Sequence, residues 1–280
     1  VTLTALLPLK NYQPSFLAEA LDSLFRQTDP DWRLLIVIEP EDAAALRSVL
    51  AVALADARVR LAINRGRKLS GAFNTGMREA ETEFVAILLA DDLWAPNAVA
   101  VLEQSFREFP EVDFFHSARR LVDDCGQPIS SVHRPREHFA PADFIATSPV
   151  KHLLCWRRAK ALAFGGMDES LESVGPDDWD FPWSMLEHGA VFKALAECLY
   201  IYRDHRDAYR LTTHLPRSLH LRETRRILAK HGVPRAAIAQ RLRQAKRTYL
   251  RQCLYRNRLD RWLKQTLGIV PRAMWRDSYR

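Results

Sequence analysis

The sequence predicts an α/β fold: a mostly parallel central sheet with helices on both faces, followed by a helical extension. Three observations predict it. Short apolar runs alternate with helix-period stretches through the first hundred residues, the pattern of strand–helix–strand units with right-handed crossovers. The chain has 280 residues, enough for one large domain, or for a domain of about 200 residues with an appendage. The charge also changes sign along it. The formal net charge is +7, but residues 215–280 carry 18 Lys+Arg against three acids, so the first 214 residues hold 23 basic and 31 acidic groups. An acidic body, 1–214, is therefore expected to precede a basic helical extension, 215–280.

Leu3 to Leu7 reads as a buried strand that Pro8 ends. Pro14 opens a helix at its first turn, where no backbone donor is needed. Leu17, Ala20, Leu21, Leu24 and Phe25 follow at the spacing of one apolar helix face. Leu34 to Ile38 is the next strand, Ala43 to Leu54 a helix, Val59 to Ile63 a third strand, Ser70 to Ala80 a helix, and Phe84 to Leu89 a fourth strand. Beyond Pro110, Phe114 to Val122 and Ile129 to Val132 flank Asp123-Asp124-Cys125-Gly126 as a hairpin would. His152 to Trp156 and Cys198 to Tyr202 read as strands, and Asp177 to His188 as an amphipathic helix.

Composition closes several classes. Hydrophobic residues at 48% and charged residues at 27% exclude a disordered or collagen-like chain. Four cysteines stand far apart without a Cys-x-x-Cys pair, a poor disulfide framework and a poor zinc site, so reduced thiols and a cytoplasmic setting are expected. Phe84 to Ala90 is too short an apolar run to span a bilayer, and Val1 to Leu7 lack the marks of a signal peptide. No Walker A loop, dinucleotide fingerprint or Gly-x-Ser-x-Gly elbow is present.

Ligands of parallel sheets sit at the carboxyl ends of the strands, which directs attention to the loops after Leu7, Ile38 and Leu89. The apolar strand Phe84 to Leu89 runs into Asp91 and Asp92, then Trp94 and Pro96. Acids there can hold a hard divalent cation, which in turn binds diphosphate oxygens; they can equally cap the helix that begins near Pro96. In Gly175-Pro176-Asp177-Asp178-Trp179-Asp180, one carboxylate could take a proton from an attacking hydroxyl, or the acids could complement a helix start. In Asn64 to Gly76, Arg65, Arg67 and Lys68 could meet phosphates, while Gly71 and Gly76 permit close backbone approach. A solvated loop entering a helix is the plainer reading of that stretch.

Taken in order, these segments resemble the inverting family-2 glycosyltransferases, whose catalytic domain has the Rossmann-like GT-A fold. The resemblance is carried by Leu3-Thr4-Ala5-Leu6-Leu7-Pro8-Leu9-Lys10-Asn11, by Ala18 to Thr28, by Asn74-Thr75-Gly76 and by Ala90-Asp91-Asp92-Leu93-Trp94. It continues through Arg157-Arg158 with Gly165-Gly166-Met167-Asp168-Glu169, Asp177-Asp178-Trp179-Asp180, and Tyr202-Arg203-Asp204-His205, covering roughly residues 2–206. It implies a nucleoside-diphosphate sugar donor, a carbohydrate or lipid-linked glycan acceptor, and Mg²⁺ or Mn²⁺.

By the same resemblance, Pro8, Leu9, Asn11, Glu39, Arg67, Asn74, Asp91 and Asp92 would line the donor site, with Glu39 near the base. Asp91, Asp92 and His205 would serve the metal, and Asp178, with Asp177 beside it, would be the general base. Three positions depart from the usual pattern: Leu89 replaces the first Asp of Asp-x-Asp, Leu9 a Thr, and Ile38 to Asp42 an Asp-Asp-Gly-Ser-Thr segment. These departures keep open a GT-A scaffold that binds without turnover. The basic extension suits packing, or peripheral contact with anionic lipid on the inner face of the cell membrane. It has no nucleic-acid motif.

Overall fold

The computed structural model describes residues 2–171, 175–204 and 216–256, with side chains in the last helix described to residue 247. The chain separates into two units, 1–206 and 207–280.

The first unit is built on an alternation that the sequence carries residue by residue. In β1 (Leu3–Leu9), β2 (Trp32–Ile38) and β4 (Phe84–Ile87), successive side chains enter two different cores. Leu3, Ala5, Leu7, Leu34, Ile36, Phe84 and Ala86 join one apolar cluster, and Leu6, Leu35, Val37, Val85 and Ile87 the other. Both faces are thus buried, which explains the continuous apolar runs. Helix α1 (Pro14–Phe25) and α5 (Ala98–Glu108) cover the first face through Leu17, Leu24, Val99, Leu102 and Phe106. The second face is covered by α4 (Lys68–Glu79), α6 (Arg158–Ala163) and α7 (Phe181–Glu187), through Phe73, Met77, Ala161, Phe181 and Met185.

The described strands form an eight-stranded sheet of order β3-β2-β1-β4-β7-β6-β8-β5. β3 (Val59–Ile63), β2, β1 and β4 are parallel. The sheet is mostly parallel, as the sequence predicts, and among the described strands only β7 and β5 run against the rest. β7 (Leu154–Arg157) runs antiparallel to β4 and to β6 (Phe114–Val122), β8 (Phe192–Arg203) runs parallel to β6, and β5 (Leu93–Trp94) antiparallel to β8. The sheet is mixed because the return through β7 is not a helical crossover.

Other boundaries shift for local reasons. β1 continues through Pro8 to Leu9. The Leu6 carbonyl faces β4, where it accepts the Leu88 N–H, and Pro8 faces the same side, beyond the last β1–β4 pair at Leu6 and Ile87. Its missing N–H therefore costs no ladder bond. The helix expected over 43–54 is broken at Leu50 into α2 (Ala43–Val49) and α3 (Ala51–Leu54). Residues 129–132 form no strand; the return after the Asp123–Gly126 turn touches β6 only through bridges between Val122 and Pro128 and between Arg119 and His133. The stretch expected as one helix from Asp177 starts as a wider turn, Pro176–Asp180, before α7.

In the second unit α8 (Arg217–Lys230) and α9 (Arg235–Arg256) form a helical pair. No described helix is long and apolar enough to cross a membrane.

Candidate functional site

Strand directions decide which residues share an edge. Leu9 pairs with Ile38 and Ile38 with Ile63, so the loops at Lys10-Asn11, Glu39 and Asn64 leave the sheet side by side. The segment after Ile87 leaves at the same edge, three residues short of them. Because β7 runs opposite to β4, the residues that enter it, Lys151 and His152, lie at this edge too. β6 and β8 run with β4, so Arg119 to Val122 and Tyr200 to Arg203 end there.

On the β1–β3 side, Asn11 is exposed and takes a positive φ of 53°, an uncommon backbone for a non-glycine residue that Asn tolerates. Pro8 is half-buried, and Leu9 lies inside the apolar core. At Leu9, therefore, the backbone is what a ligand could meet. Glu39 Oε1 accepts the Asn64 side-chain amide at 3.0 Å. Asn64 in turn accepts the Gly66 N–H at 2.9 Å and the Thr75 hydroxyl at 3.2 Å, which fixes the turn into α4. Arg67 ends that turn with its side chain exposed.

Asn74 joins two loops. Its Oδ1 accepts the Met167 N–H at 2.8 Å, and its Nδ2 donates to the Met167 carbonyl at 2.9 Å and to Glu169 at 2.8 Å. With its amide engaged and buried, Asn74 is a strut that docks the Gly165–Glu169 loop on α4. Glu169 also accepts the Arg67 N–H at 2.8 Å. Gly166 is needed beneath it, since φ is +81° and a Cβ would come 2.3 Å from Asn74 Oδ1.

The acids after β4 divide the same way. Asp92 is 1% exposed; its Oδ1 accepts the Arg203 N–H at 2.7 Å and its Oδ2 the Tyr200 hydroxyl at 2.8 Å. Burial pushes its carboxyl well above the usual range, the Asp91 charge adds to this, and the Arg203 N–H, the Tyr200 hydroxyl and Arg119 act against it. Such a group anchors the loop after β4. Asp91 is half-exposed. Arg203, 2% exposed, completes the anchor: Nε donates to the Asp91 carbonyl at 3.0 Å, Nη1 to the Asp124 carbonyl at 3.2 Å, and Nη2 pairs with Glu19 in α1. Sequence reasoning missed Arg203; its only signal was its place in the Tyr-Arg-Asp-His segment.

These residues test the fit of a divalent cation. Leu89 offers no ligand, Asp92 is engaged, and His205 lies outside the described residues. No group of three metal-ligating side chains occurs among the described residues. Asp91 is one carboxylate at the correct edge, which fits a Mg²⁺-type ion shared with substrate phosphates but not an all-protein cage.

Across the edge lies the second acidic pair. The His152 ring Nε2 stands 3.6 Å from Asp177 Oδ2, and Trp179 Nε1 donates to the Phe144 carbonyl at 2.7 Å, holding the wide turn in place. Burial raises the Asp178 carboxyl, the Asp177 charge adds to this, and His152, Arg119 and Lys151 oppose it. A carboxyl raised in this way holds a proton more readily than a free one, as suits a group that takes a proton from a hydroxyl. The Arg119 charge acts on both Asp92 and Asp178.

An eight-stranded mixed sheet with acids at this edge defines the class: the fold is that of the GT-A glycosyltransferases. It is shared with Staphylococcus aureus TarS 1-349, solved in complex with UDP-GlcNAc (TM-score 0.62, 14% identity, covering 98% of this chain and 78% of that one). It is also shared with the mannosyltransferase PcManGT from Pyrobaculum calidifontis, solved with GDP-Man and Mn²⁺ (TM-score 0.56, 18% identity, 99% and 78%). Residues 4–152 match the model of glycosyl transferase family 2, and the chain belongs to that family. Among curated relatives, the O-antigen biosynthesis protein RfbC of Myxococcus xanthus is 26% identical over 199 residues, 70% of this chain and 15% of that protein. The succinoglycan biosynthesis protein ExoW of Rhizobium meliloti (strain 1021) is 34% identical over 111 residues, 38% and 34%. The chain thus spans less than two thirds of the length of either relative.

Proposed function

We propose that the chain is an inverting glycosyltransferase that moves a sugar from a nucleoside-diphosphate donor to an acceptor hydroxyl in the assembly of a cell-surface polysaccharide or glycoconjugate. The single observation that carries this reading is the presence, on one sheet edge, of a half-exposed acid after β4 (Asp91) and of a second acidic pair, Asp177 against His152 and Asp178 with a raised, half-exposed carboxyl. Family membership and the polysaccharide-biosynthesis relatives support it.

The chemistry then follows from the residues. The nucleoside lies against Pro8, the Leu9 backbone, Asn11 and Glu39, with the diphosphate toward Arg67 and the Asp91 loop. Asp178 accepts the proton of the acceptor hydroxyl as the oxygen forms its bond to the anomeric carbon. The bond from that carbon to the diphosphate oxygen breaks, and the nucleoside diphosphate leaves with the electron pair. Attack opposite the leaving group inverts the anomeric centre. A Mg²⁺ or Mn²⁺ ion held by Asp91 would supply positive charge to the leaving diphosphate. Both substrates are held in place, so the reaction is effectively intramolecular. The units 1–214 and 215–280 would be catalytic domain and basic extension, the latter a peripheral contact with anionic lipid at the cytoplasmic face.

The test is a panel of nucleoside-diphosphate sugars with Mg²⁺ or Mn²⁺, read by thermal stabilisation and by slow donor hydrolysis. Stabilisation without hydrolysis or transfer would favour the second reading, a GT-A scaffold that binds without turnover, which Leu89 and the engagement of Asp92 make specific. No stabilisation by any donor would remove both.

A further inference from the structure

Beside Asp178 lies a group of cationic and imidazole side chains to which the transfer chemistry assigns no substrate contact. Arg119 and His133 are joined by two backbone hydrogen bonds, the Arg119 N–H to the His133 carbonyl at 3.0 Å and the reverse at 2.8 Å, so their side chains start from adjacent backbone. Arg119 Nη1 lies 3.5 Å from His152 Nδ1, and Lys151 precedes His152 in the chain. Lys151 acts on the charge of Asp178, His133 and His116, and Arg119 acts on that of Lys151.

The group is short of partners. Arg119 Nε, His133 Nε2, His152 Nε2 and Ser148 Oγ are buried without a hydrogen-bond partner among the described residues. Lys151 Nζ donates only a long bond, 3.3 Å, to the Ser148 carbonyl. Buried polar atoms in folded proteins are normally satisfied, so several orphans in one place point to an absent ligand.

These cations are not simply the counter-charge of the acidic pair. Neither Arg119 nor Lys151 comes within ion-pair distance of a carboxylate among the described residues; the nearest approach to the pair is the 3.6 Å contact from His152 to Asp177. Arg119, Lys151, His133 and Ser148 are all half-exposed, so a ligand can reach them. A cationic fork, an amine and an imidazole N–H together match the oxygens of a phosphate.

We propose that Arg119, His133 and Lys151 form an oxyanion subsite beside Asp178 that holds a phosphate group of the acceptor. Its position is beside the acidic pair: Arg119 Nη1 lies 3.5 Å from His152, whose Nε2 stands 3.6 Å from Asp177, and Lys151 adjoins His152 in the chain. A phosphate held here sits next to the base, on the acceptor side. The proposal rests on the glycosyltransferase reading for the word acceptor, but the anion site stands on its own geometry.

The experiment is calorimetric titration of the full chain with inorganic phosphate, glycerol 1-phosphate and farnesyl diphosphate. Each is run with and without a saturating nucleoside diphosphate and Mg²⁺, and glycerol is the neutral control. The expected result is phosphate binding that persists with the nucleoside diphosphate bound. Lys151→Gln and Arg119→Gln should each weaken phosphate at least about tenfold, and Lys151→Gln should leave nucleoside diphosphate affinity unchanged. Lys151→Arg, which keeps the charge, should retain binding and so guards against a folding artefact. Tighter binding of farnesyl diphosphate assigns a lipid diphosphate, and tighter binding of glycerol 1-phosphate a phosphate within a glycan; either supports the subsite. Displacement of phosphate by the nucleoside diphosphate, with both weakened by Lys151→Gln, would reassign the cluster to the donor and overturn the proposal. So would phosphate binding indifferent to both substitutions, or none at all. If no nucleoside diphosphate or its sugar binds, the transferase reading falls while the phosphate titration still decides the subsite.

Discussion

Asp92 and Arg203 stand 111 positions apart in the chain, yet the Asp92 Oδ1 accepts the Arg203 backbone N–H at 2.7 Å. This bond ties the loop after β4 to the end of β8, and the Tyr200 hydroxyl closes the other carboxylate oxygen at 2.8 Å. Tyr200→Phe leaves that buried carboxylate short of a donor. The expected cost is about 1–3 kcal/mol of stability, read as a lower urea midpoint with an unchanged slope. An unaltered midpoint would mean that water replaces the hydroxyl and that the anchor is looser than the geometry indicates.

Asp91 and Asp92 are adjacent but should respond differently. Asp91→Ala is expected to keep the melting temperature and abolish the metal-dependent part of donor binding. Asp92→Ala should lower the melting temperature first, because it strips the partner from the Arg203 N–H and the Tyr200 hydroxyl. Differential scanning fluorimetry with and without Mn²⁺ separates the two; equal loss of metal response at unchanged stability would restore Asp92 as a ligand.

Asp178 should show a trade between activity and stability. Asp178→Asn removes the base, for a loss of about 10²–10⁴-fold in transfer. The folded protein holds the Asp178 proton more tightly than the unfolded chain. Ionisation of this carboxyl therefore disfavours folding, and its cost appears as pH rises from the ordinary carboxylate value through the raised one. Above that window Asp178→Asn should melt higher than the parent, a gain common where functional groups are strained. A lower melting temperature at pH 8 would contradict the raised carboxyl.

The same carboxyl sets a pH limb. Transfer needs Asp178 ionised, so the rate should rise with pH through a value above the usual carboxylate range. Lys151, itself lowered to about 8 by burial, and Arg119 favour the ionised form. Lys151→Gln should then move the acid limb of the rate profile to higher pH. A limb that does not move would show that Lys151 has no influence on the base in the working enzyme.

Packing gives a fifth test on α4. A Cβ at Gly76 would lie 3.0 Å from Leu6 Cδ2 and 3.4 Å from Val37 Cγ2, both on the sheet. Gly76→Ala should cost about 1–3 kcal/mol by overpacking, visible as earlier thermal unfolding, despite the helix preference of alanine.

The sequence made β1 to β4 legible because both faces of each strand are buried, and uninterrupted apolar runs leave few alternatives. Pairing Asp91 with Asp178 was legible only through the order of motifs. What escaped was set by long-range return. β5 has two residues and exists because β8 passes beside it. β8 keeps several half-exposed positions among its twelve residues, so only its apolar end, Cys198 to Tyr202, read as strand. Nothing near Arg203 distinguishes a buried clamp from a surface arginine, and Arg119 and Lys151 meet only because β7 turns back on β4. The bonds of Asn74 to Met167 and Glu169 escaped for a related reason: a polar residue near a ligand edge looks the same in sequence whether or not it holds a neighbouring loop.

Asn74 also bears on how this scaffold can be re-engineered. Its amide grips Met167 from both sides, and Glu169 reaches back to the Arg67 N–H. Segments 64–76 and 165–169 are therefore one graft, although ninety residues separate them. A chimera that imports the first from a relative with another donor preference should carry the second with it, or it will exchange selectivity for a misfit at the seam.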